Sequence, residues 1–321
     1  MHKAFLSVLD LEHDQLDACL RLAQRLKAER SLGRQAPTAQ ALAGGHVALL
    51  FEKPSLRTRS TFEIAVRELG GEILDPSRDA ALGARESVAD VARNLERWVS
   101  AVVIRTFAQR RLQEFSQAAP DLPLINALTD EEHPCQALAD VMTLQEHLGA
   151  LAGRRVAYVG DGNNVATSLV QACLMEGVSV GLASPAGFGL SPAIMAAARA
   201  AARHGATAVQ VEDPRAVLAG ADAVYTDVWT SMGQETEGAA RRERFVPYQV
   251  NAAMMALAAP GALFMHCLPA HRGDEVTDEV IDGPASVVFD QSENRLHTQK
   301  ALLLMLVKDW CAPQKALPFS P

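Results

Sequence analysis

Short apolar runs alternating with segments of helical period restrict the fold of this chain most, because the alternation persists over most of its length. The runs at 46–51, 101–104 and 122–126 suit buried strands. The stretches between them carry apolar residues at helical spacing, as Phe62, Val66 and Leu69 do before Gly70-Gly71. Such alternation is the pattern of parallel βαβ units, since a parallel neighbour can be reached only through a crossover. A helix starting near His133 puts Ala137, Val141, Leu144 and Leu148 on one stripe and stops at Gly149, with Leu151-Ala152-Gly153 as a hinge. Beyond it, 155–159, 178–183, 223–225, 262–265 and 286–289 read as five more buried strands. The expected fold is α/β, with two doubly wound parallel-sheet domains at 1–148 and 149–297. Residues 298–321 follow as a C-terminal helix and tail, the apolar helix over 298–310 packing back on the first domain.

A chain of 321 residues, 49% hydrophobic and 21% charged, has enough apolar material for two ordinary globular cores. Its formal charge of −8 argues against a general nucleic-acid binder and confines any positive site to a local cluster. Asp10, Glu12 and Asp14 arrive before an apolar export segment can develop, and the longest aliphatic run, 301–307, is too short for a bilayer. A soluble cytoplasmic protein with no membrane partner is expected. Cys19, Cys135, Cys173, Cys267 and Cys311 lack the close paired spacings of a zinc site or disulfide framework, so reduced thiols are expected.

The most chemically specific segment is Ser55-Leu56-Arg57-Thr58-Arg59, where the strand 46–51 runs into a helix. Unpaired backbone N–H groups and the positive dipole end at a helix N-terminus favour an anion, and here the Ser55 and Thr58 hydroxyls add donors and the arginines add charge. That suits a phosphorylated substrate; a serine cap followed by solvated arginines is the plainer alternative. His133-Pro134-Cys135-Gln136 opens a later helix, with Pro134 fitting the first turn and His133 and Gln136 on neighbouring positions of one face. A neutral His and a Gln side by side suit a carbonyl oxygen and an amide. Asp140, one turn on, either orients one of them or faces water. Arg105 ends the strand before it, and ligands in open α/β sheets bind outside the carboxyl ends of strands. Arg57, Arg105 and His133 all follow strand ends, which weakens the plainer readings jointly.

In the second half, the segment from Tyr158 to Asn164 has the strand, glycine turn and helix of a dinucleotide site, but Val165 stands at the third glycine position. The next strand ends Ala183-Ser184-Pro185, without an acidic residue for a ribose. Asn163 or Asn164 reads instead as a small-ligand contact. Asp227-Val228-Trp229-Thr230-Ser231-Met232-Gly233 combines a carboxylate suited to an ammonium group with a hydroxyl and a flexible glycine. His266-Cys267-Leu268-Pro269 ends another strand with a thiol at its tip, a buried inert cysteine being the alternative.

Together and in this order, these four segments resemble the transcarbamylase family over nearly the whole chain. The last two resemble its ornithine branch, since the aspartate branch lacks both. The resemblance implies transfer of the carbamoyl group of carbamoyl phosphate to the side-chain amine of L-ornithine, giving L-citrulline and phosphate in arginine metabolism. It implies no metal or organic cofactor, and a homotrimer or a multiple of trimers. It also implies roles. Ser55, the Leu56 backbone N–H, Arg57, Thr58 and Arg105 would bind the phosphate. Arg105, His133, Gln136 and Arg295 would hold the carbamoyl oxygen and amide. Asn164, Asp227, Ser231 and Met232 would hold the amino-acid end of ornithine, with Cys267 and Leu268 beside the reacting amine. Leu56 stands where many members carry a hydroxyl residue. Ala81 stands where many ornithine-type members have a glutamine that reaches a neighbouring subunit's substrate, which puts that contact, though not the trimer, in question.

Attack of a neutral amine on the carbonyl builds negative charge on its oxygen, so fixed donors at Arg57, Arg105 and His133 would stabilise the transition state by ~3–4 kcal/mol each. A side-chain amine with a pKa of about 10.4 is mostly protonated at neutral pH, so the rate should rise with pH. The rivals are transfer to another amine (putrescine, lysine or an acylated ornithine), a non-catalytic metabolite-binding protein, and an oxidoreductase. Asp227 argues against a blocked α-amino group. Donors for both phosphate and carbonyl argue against simple binding, and the broken glycine pattern argues against the third.

Overall fold

In a computed structural model of the chain, residues 3–76, 82, 85–230 and 238–308 are described. They form two compact units, one taking in the chain up to Thr129 and resuming at Arg295, the other Asp130–Asn294. The first contains β1 (Ala4–Phe5), α1 (His13–Glu29), β2 (His46–Phe51), α2 (Arg57–Glu68), β3 (Glu72–Leu74), α3 (Val88–Trp98), β4 (Ala101–Arg105), α4 (Gln109–Ala118) and β5 (Leu124–Leu128). Every residue of β4 and β5 is buried, as are five of the six in β2. That is why these strands read as continuous apolar runs: both faces of a parallel sheet are covered. All pairings are parallel, in the order β1-β5-β4-β2-β3. Ala48, Leu50, Val102, Ile104 and Leu124 pack in one cluster with Val91, Ala92 and Leu95 of α3 and Leu112 and Phe115 of α4. From β2 the chain moves out to β3 at one edge and then returns to β4 on the other side of β2. The topological switch therefore lies between β2 and β4.

The second unit contains α5 (Pro134–Leu148), β6 (Arg155–Val159), α6 (Asn164–Met175), β7 (Ser179–Ala183), α7 (Pro192–Ala200), β8 (Ala208–Val211), α8 (Arg215–Leu218), β9 (Ala223–Thr226), α9 (Gly238–Phe245), α10 (Ala252–Met255), β10 (Leu263–His266) and α11 (Asp278–Ile281). Its sheet is again parallel, in the order β10-β9-β6-β7-β8, with the switch between β6 and β9. One buried cluster joins Ala157, Val159, Val224 and Phe264 of the sheet to Val217 and Leu218 of α8 and Val280 and Ile281 of α11. The doubly wound parallel architecture is thus present in both units. The short edge strands β1, β3 and β8 escaped the sequence reading because two to four residues carry little periodicity.

Residues 286–289 are not the expected strand. Ser286 makes one parallel bridge to Phe264, and the chain enters α12 (Val288–Lys308) two residues later. Asp290 in the first turn favours a helix start by complementing the dipole, so the helix begins ten residues before its expected start. Expected positions 309 and 310 lie outside the described residues. From Arg295 onward α12 belongs to the first unit, where Lys300 Nζ donates to Glu68 on α2 (2.8 Å) and residues 301–306 are all buried. The C-terminal helix packs back on the first unit, as its apolar composition implied. No described helix is long and apolar enough to cross a membrane.

Gln299 is a flaw in this packing. It is 1% exposed, and among the described residues neither end of its amide meets a hydrogen-bond partner. Leaving a buried polar group unsatisfied costs about 1–3 kcal/mol. Gln299→Leu, of similar volume, is expected to raise the thermal midpoint by several degrees, which calorimetry would show.

Candidate active site

At the β2/β4 switch, the strand ends are drawn together. Phe51 pairs with Arg105, and the Glu52 N–H donates to the Arg105 carbonyl (2.9 Å), carrying the ladder one residue past β2. Ser55 and Leu56 lead into α2, whose first two residues are Arg57 and Thr58. α3, α6 and α7 receive side-chain caps from Ser87, Asn163 and Ser191, whereas α2 has neither a side-chain cap bond nor an acidic residue in its first turn. With no such cap among the described residues, its positive pole suits an external anion. Leu56, 77% exposed, sits there in helical backbone conformation, so only its main chain is suited to a polar ligand. Thr58 is buried, and its Oγ1 accepts a hydrogen bond from the Arg295 guanidinium (2.8 Å). Arg105 is buried at the carboxyl end of β4. The structure thus brings Ser55, Leu56, Arg57, Thr58, Arg105 and Arg295 to one unit, three of them cationic.

Arg59 behaves differently from the reading that added both arginines to the site. Its guanidinium binds Glu63 one turn on (3.1 Å) and Asp75, which offsets a cation at the positive helix end. Glu52 is likewise engaged, by Thr106 and by Arg111 (2.7 Å). Its carboxylate adds less repulsion for an anion than its position alone implies.

In the second unit, His133 is the N-cap residue of α5 and Pro134 its first helical residue. Gln136 Nε2 donates to Asp140 Oδ1 (2.8 Å), both buried, so Asp140 orients the glutamine and does not face water. Asp140 also accepts from Tyr225 Oη (3.2 Å) and from Gln291 Nε2 (2.6 Å), joining α5 to β9 and α12. The i,i+4 spacing announced the first bond; the partners on β9 and α12 leave no mark in the sequence.

At the β6/β9 switch the Asn163 amide is committed at both ends. Its Oδ1 accepts from the Val165 and Ala166 N–H groups (2.9 and 3.1 Å), and its Nδ2 donates to Asp227 Oδ2 (2.7 Å). Asn163 therefore caps α6 and supports Asp227, a role the sequence reading did not give it, while Asn164 is the first residue of α6. Cys267 is partly exposed and donates Sγ–H to Asp227 Oδ1 (3.0 Å). Leu268 takes a left-handed backbone (φ 58°) with its N–H on His266 Nδ1 (2.8 Å). Ligand-type atoms of Asp227, His266 and Cys267 lie within 4.8 Å of one another, but His266 spends Nδ1 on that bond and turns Nε2 to Glu275 (3.3 Å). Gly162 answers to packing: a Cβ there would meet the backbone of Gly189 and Leu190 at 2.6 Å. Ser231, Met232 and Ala81 lie outside the described residues.

Asp161, just after β6, binds Arg241 of α9, which also donates to the Trp229 carbonyl (2.9 Å). Burial pushes its carboxyl up to about 6; Arg241 opposes this, and the Asp227 charge adds to it. Since its pKa in the fold exceeds the ordinary 3.8, the folded state holds that proton more tightly, and this group's contribution to stability falls as pH rises from about 4 to 6. At ~1.4 kcal/mol per pKa unit the change is on the order of 2–3 kcal/mol. In urea denaturation, the stability difference between the protein and Asp161→Asn is expected to vary across that window and flatten above it.

The family descriptions agree with this division of chemistry. The carbamoyl-P binding domain of aspartate/ornithine carbamoyltransferases matches residues 3–146, and their Asp/Orn binding domain matches residues 152–306. An ornithine carbamoyltransferase of Symbiobacterium thermophilum is 49% identical over 306 residues, covering 94% of this chain and 97% of that protein. One of Rhodococcus opacus is 50% identical over 310 residues, covering 95% and 96%. Among solved structures, ornithine carbamoyltransferase from Pyrococcus furiosus superposes with a TM-score of 0.89 at 44% identity, over 94% of this chain and 96% of that one. The enzyme from Thermus thermophilus gives 0.85 at 42%, over 96% and 99%. With both domains matched, and relatives nearly half identical end to end, the chain belongs to the aspartate/ornithine carbamoyltransferase family.

Proposed function

We propose that this chain transfers the carbamoyl group of carbamoyl phosphate to the side-chain amine of L-ornithine, giving L-citrulline and phosphate. The observation that carries the ornithine reading is the buried Asp227 carboxylate at the β6/β9 switch, held by Asn163 and Cys267. A fixed carboxylate there suits an α-ammonium group, while the uncapped N-terminus of α2 with its arginines suits a phosphate. The domain at residues 1–148 binds carbamoyl phosphate and that at 149–297 binds ornithine.

The backbone and hydroxyls of Ser55, Leu56 and Thr58, with Arg57 and Arg105, bind the phosphate. Arg105, His133 and Arg295 donate to the carbamoyl oxygen, and Gln136, oriented by Asp140, faces the carbamoyl amide. Asp227 pairs with the α-ammonium group of ornithine, with Asn164, Ser231 and Met232 around the amino-acid end and Cys267 and Leu268 beside the δ-amine. The neutral δ-nitrogen attacks the carbonyl carbon, and the charge that develops on oxygen meets donors already in place. As the new C–N bond is retained, the C–O bond to phosphate breaks with its electron pair on the leaving oxygen, and the phosphate takes the proton from nitrogen. The protein acts as a cytoplasmic homotrimer in arginine biosynthesis.

Ureido-product formation from carbamoyl phosphate with L-ornithine, putrescine, L-lysine, N-acetylornithine and L-aspartate tests this. Ornithine is expected to dominate by at least a hundredfold in kcat/KM. Product with another amine alone would overturn the reading of Asp227 and leave the phosphate site standing, and no product with any would overturn both.

A further inference from the structure

His133 holds an unusual place in the fold. Its backbone (φ −131°, ψ 61°) is neither helical nor extended, and its side chain makes no capping bond to α5. A residue whose imidazole must meet a carbonyl oxygen within a few tenths of an ångström needs its main chain fixed by something else. The fixing groups come from α6. The His133 N–H donates to Ser168 Oγ (2.9 Å), and the Ser168 hydroxyl donates in turn to Oε2 of Glu132, the residue just before His133. The other carboxylate oxygen, Oε1, accepts from Gln171 Nε2 (2.9 Å), one turn further along α6. Glu132, Ser168 and Gln171 are all buried, Glu132 to 8% exposure. Two successive residues, one through its side chain and the next through its N–H, are thus clamped to one helix.

The same helix starts at the other half of the site. Asn163 caps α6 and donates to Asp227, so α6 carries the support of the ornithine carboxylate partner at its N-terminus and the clamp on His133 about one turn later. We propose that Glu132 and Ser168 are positioning residues that hold His133 in register with Asp227 through α6. Ser168 is the pivot, because its single hydroxyl both accepts from His133 and donates to Glu132. In this role the buried carboxylate of Glu132 touches no substrate; it fixes the direction of the Ser168 proton, leaving the serine lone pairs to face the His133 N–H.

The proposal rests on the reading that His133 donates to the carbamoyl oxygen, and a double-mutant cycle separates the two. Ser168→Ala, His133→Ala and the double variant would be compared by kcat, by KM for each substrate and by thermal midpoint. Ser168→Ala is expected to lower kcat ten- to a hundredfold with the ornithine KM within threefold, and Ser168→Thr, which keeps the hydroxyl, to recover most of that loss. In the His133→Ala background, Ser168→Ala should cost less than threefold more, because a group acting through His133 has nothing left to position. Multiplicative losses would overturn the proposal and leave the role of His133 intact, as would a Ser168→Ala loss confined to the thermal midpoint. Unchanged kcat in His133→Ala would overturn both. Glu132→Gln supplies a second arm: its amide can bridge Ser168 and Gln171 once the Gln171 amide turns over, so a loss well below that of Ser168→Ala is expected.

Discussion

Arg57→Gln is expected to lower kcat/KM for carbamoyl phosphate by a hundredfold to a thousandfold or more, leaving the ornithine KM within about threefold. The magnitude follows from the removal of one preorganised donor to developing charge, typically ~3–4 kcal/mol, with about 1.4 kcal/mol per tenfold. The position makes the effect specific. Arg57 is the first residue of α2, a helix whose N-terminus carries no side-chain cap and no acid in its first turn, so a cation there sits against the positive pole of the helix dipole. Against that pole its charge is unfavourable to the helix dipole, so the effect of Arg57→Gln is expected in kcat/KM and not chiefly in the thermal midpoint. Arg59→Gln is the control. Its guanidinium is held by Glu63 and Asp75, and its loss of activity should be at least tenfold smaller than that of Arg57→Gln. Steady-state kinetics with each substrate varied in turn decides the matter; near-normal turnover in Arg57→Gln would remove the phosphate site from the reading of this segment.

That contrast between two arginines two residues apart also shows where sequence reasoning stops. The strand-to-helix step at 51–57 was legible because a short continuous apolar run gives way to apolar residues at helical spacing, and the structure puts Ser55 to Thr58 where that change predicts. That Arg59 is engaged within the protein depended on Asp75, sixteen residues further on, and on Glu63, whose i,i+4 spacing from Arg59 was the one local hint. Asp140 was half legible for the same reason: its bond to Gln136 is local, while those to Tyr225 and Gln291 come from residues 85 and 151 positions away. Asn163 and Asn164 could not be told apart in the sequence because a cap and a ligand contact ask for the same side chain; the bonds of Asn163 to Val165, Ala166 and Asp227 show it as the cap of α6 and a support of Asp227. Residues 286–289 were misread because four mostly apolar residues fit a buried strand as well as a helix start, and the acidic first turn that decides it belongs to the following segment. The Ser168 clamp gave no sequence signal at all, since a serine on an apolar helix face reads as a small packing residue.

Asp227→Asn is expected to raise the ornithine KM by about a hundredfold while the KM for carbamoyl phosphate changes less than threefold. Truncating or neutralising one partner of a buried, hydrogen-bonded charge pair costs on the order of 2–5 kcal/mol, and the substrate ammonium would lose its only charged partner among the residues assigned to it. Asparagine is the informative substitution. It keeps the shape of Asp227 and an oxygen to accept the Asn163 Nδ2 bond (2.7 Å), so the cap of α6 and the switch point keep their geometry while the charge goes. Asp227→Ala removes that acceptor as well and leaves a partly buried amide unsatisfied, which costs about 1–3 kcal/mol of stability on top of the binding loss. If Asn binds ornithine normally and only Ala fails, Asp227 is a structural acceptor and the ammonium assignment is wrong; equal losses for both substrates would mean that the division of roles between the two domains is wrong. The same variant carries an internal check. The Asp227 charge helps hold the Asp161 carboxyl up at about 6, so removing it should bring that pKa down toward the ordinary carboxylate range. The pH window over which Asp161 titrates would then move acidward in Asp227→Asn, whichever way the kinetics fall.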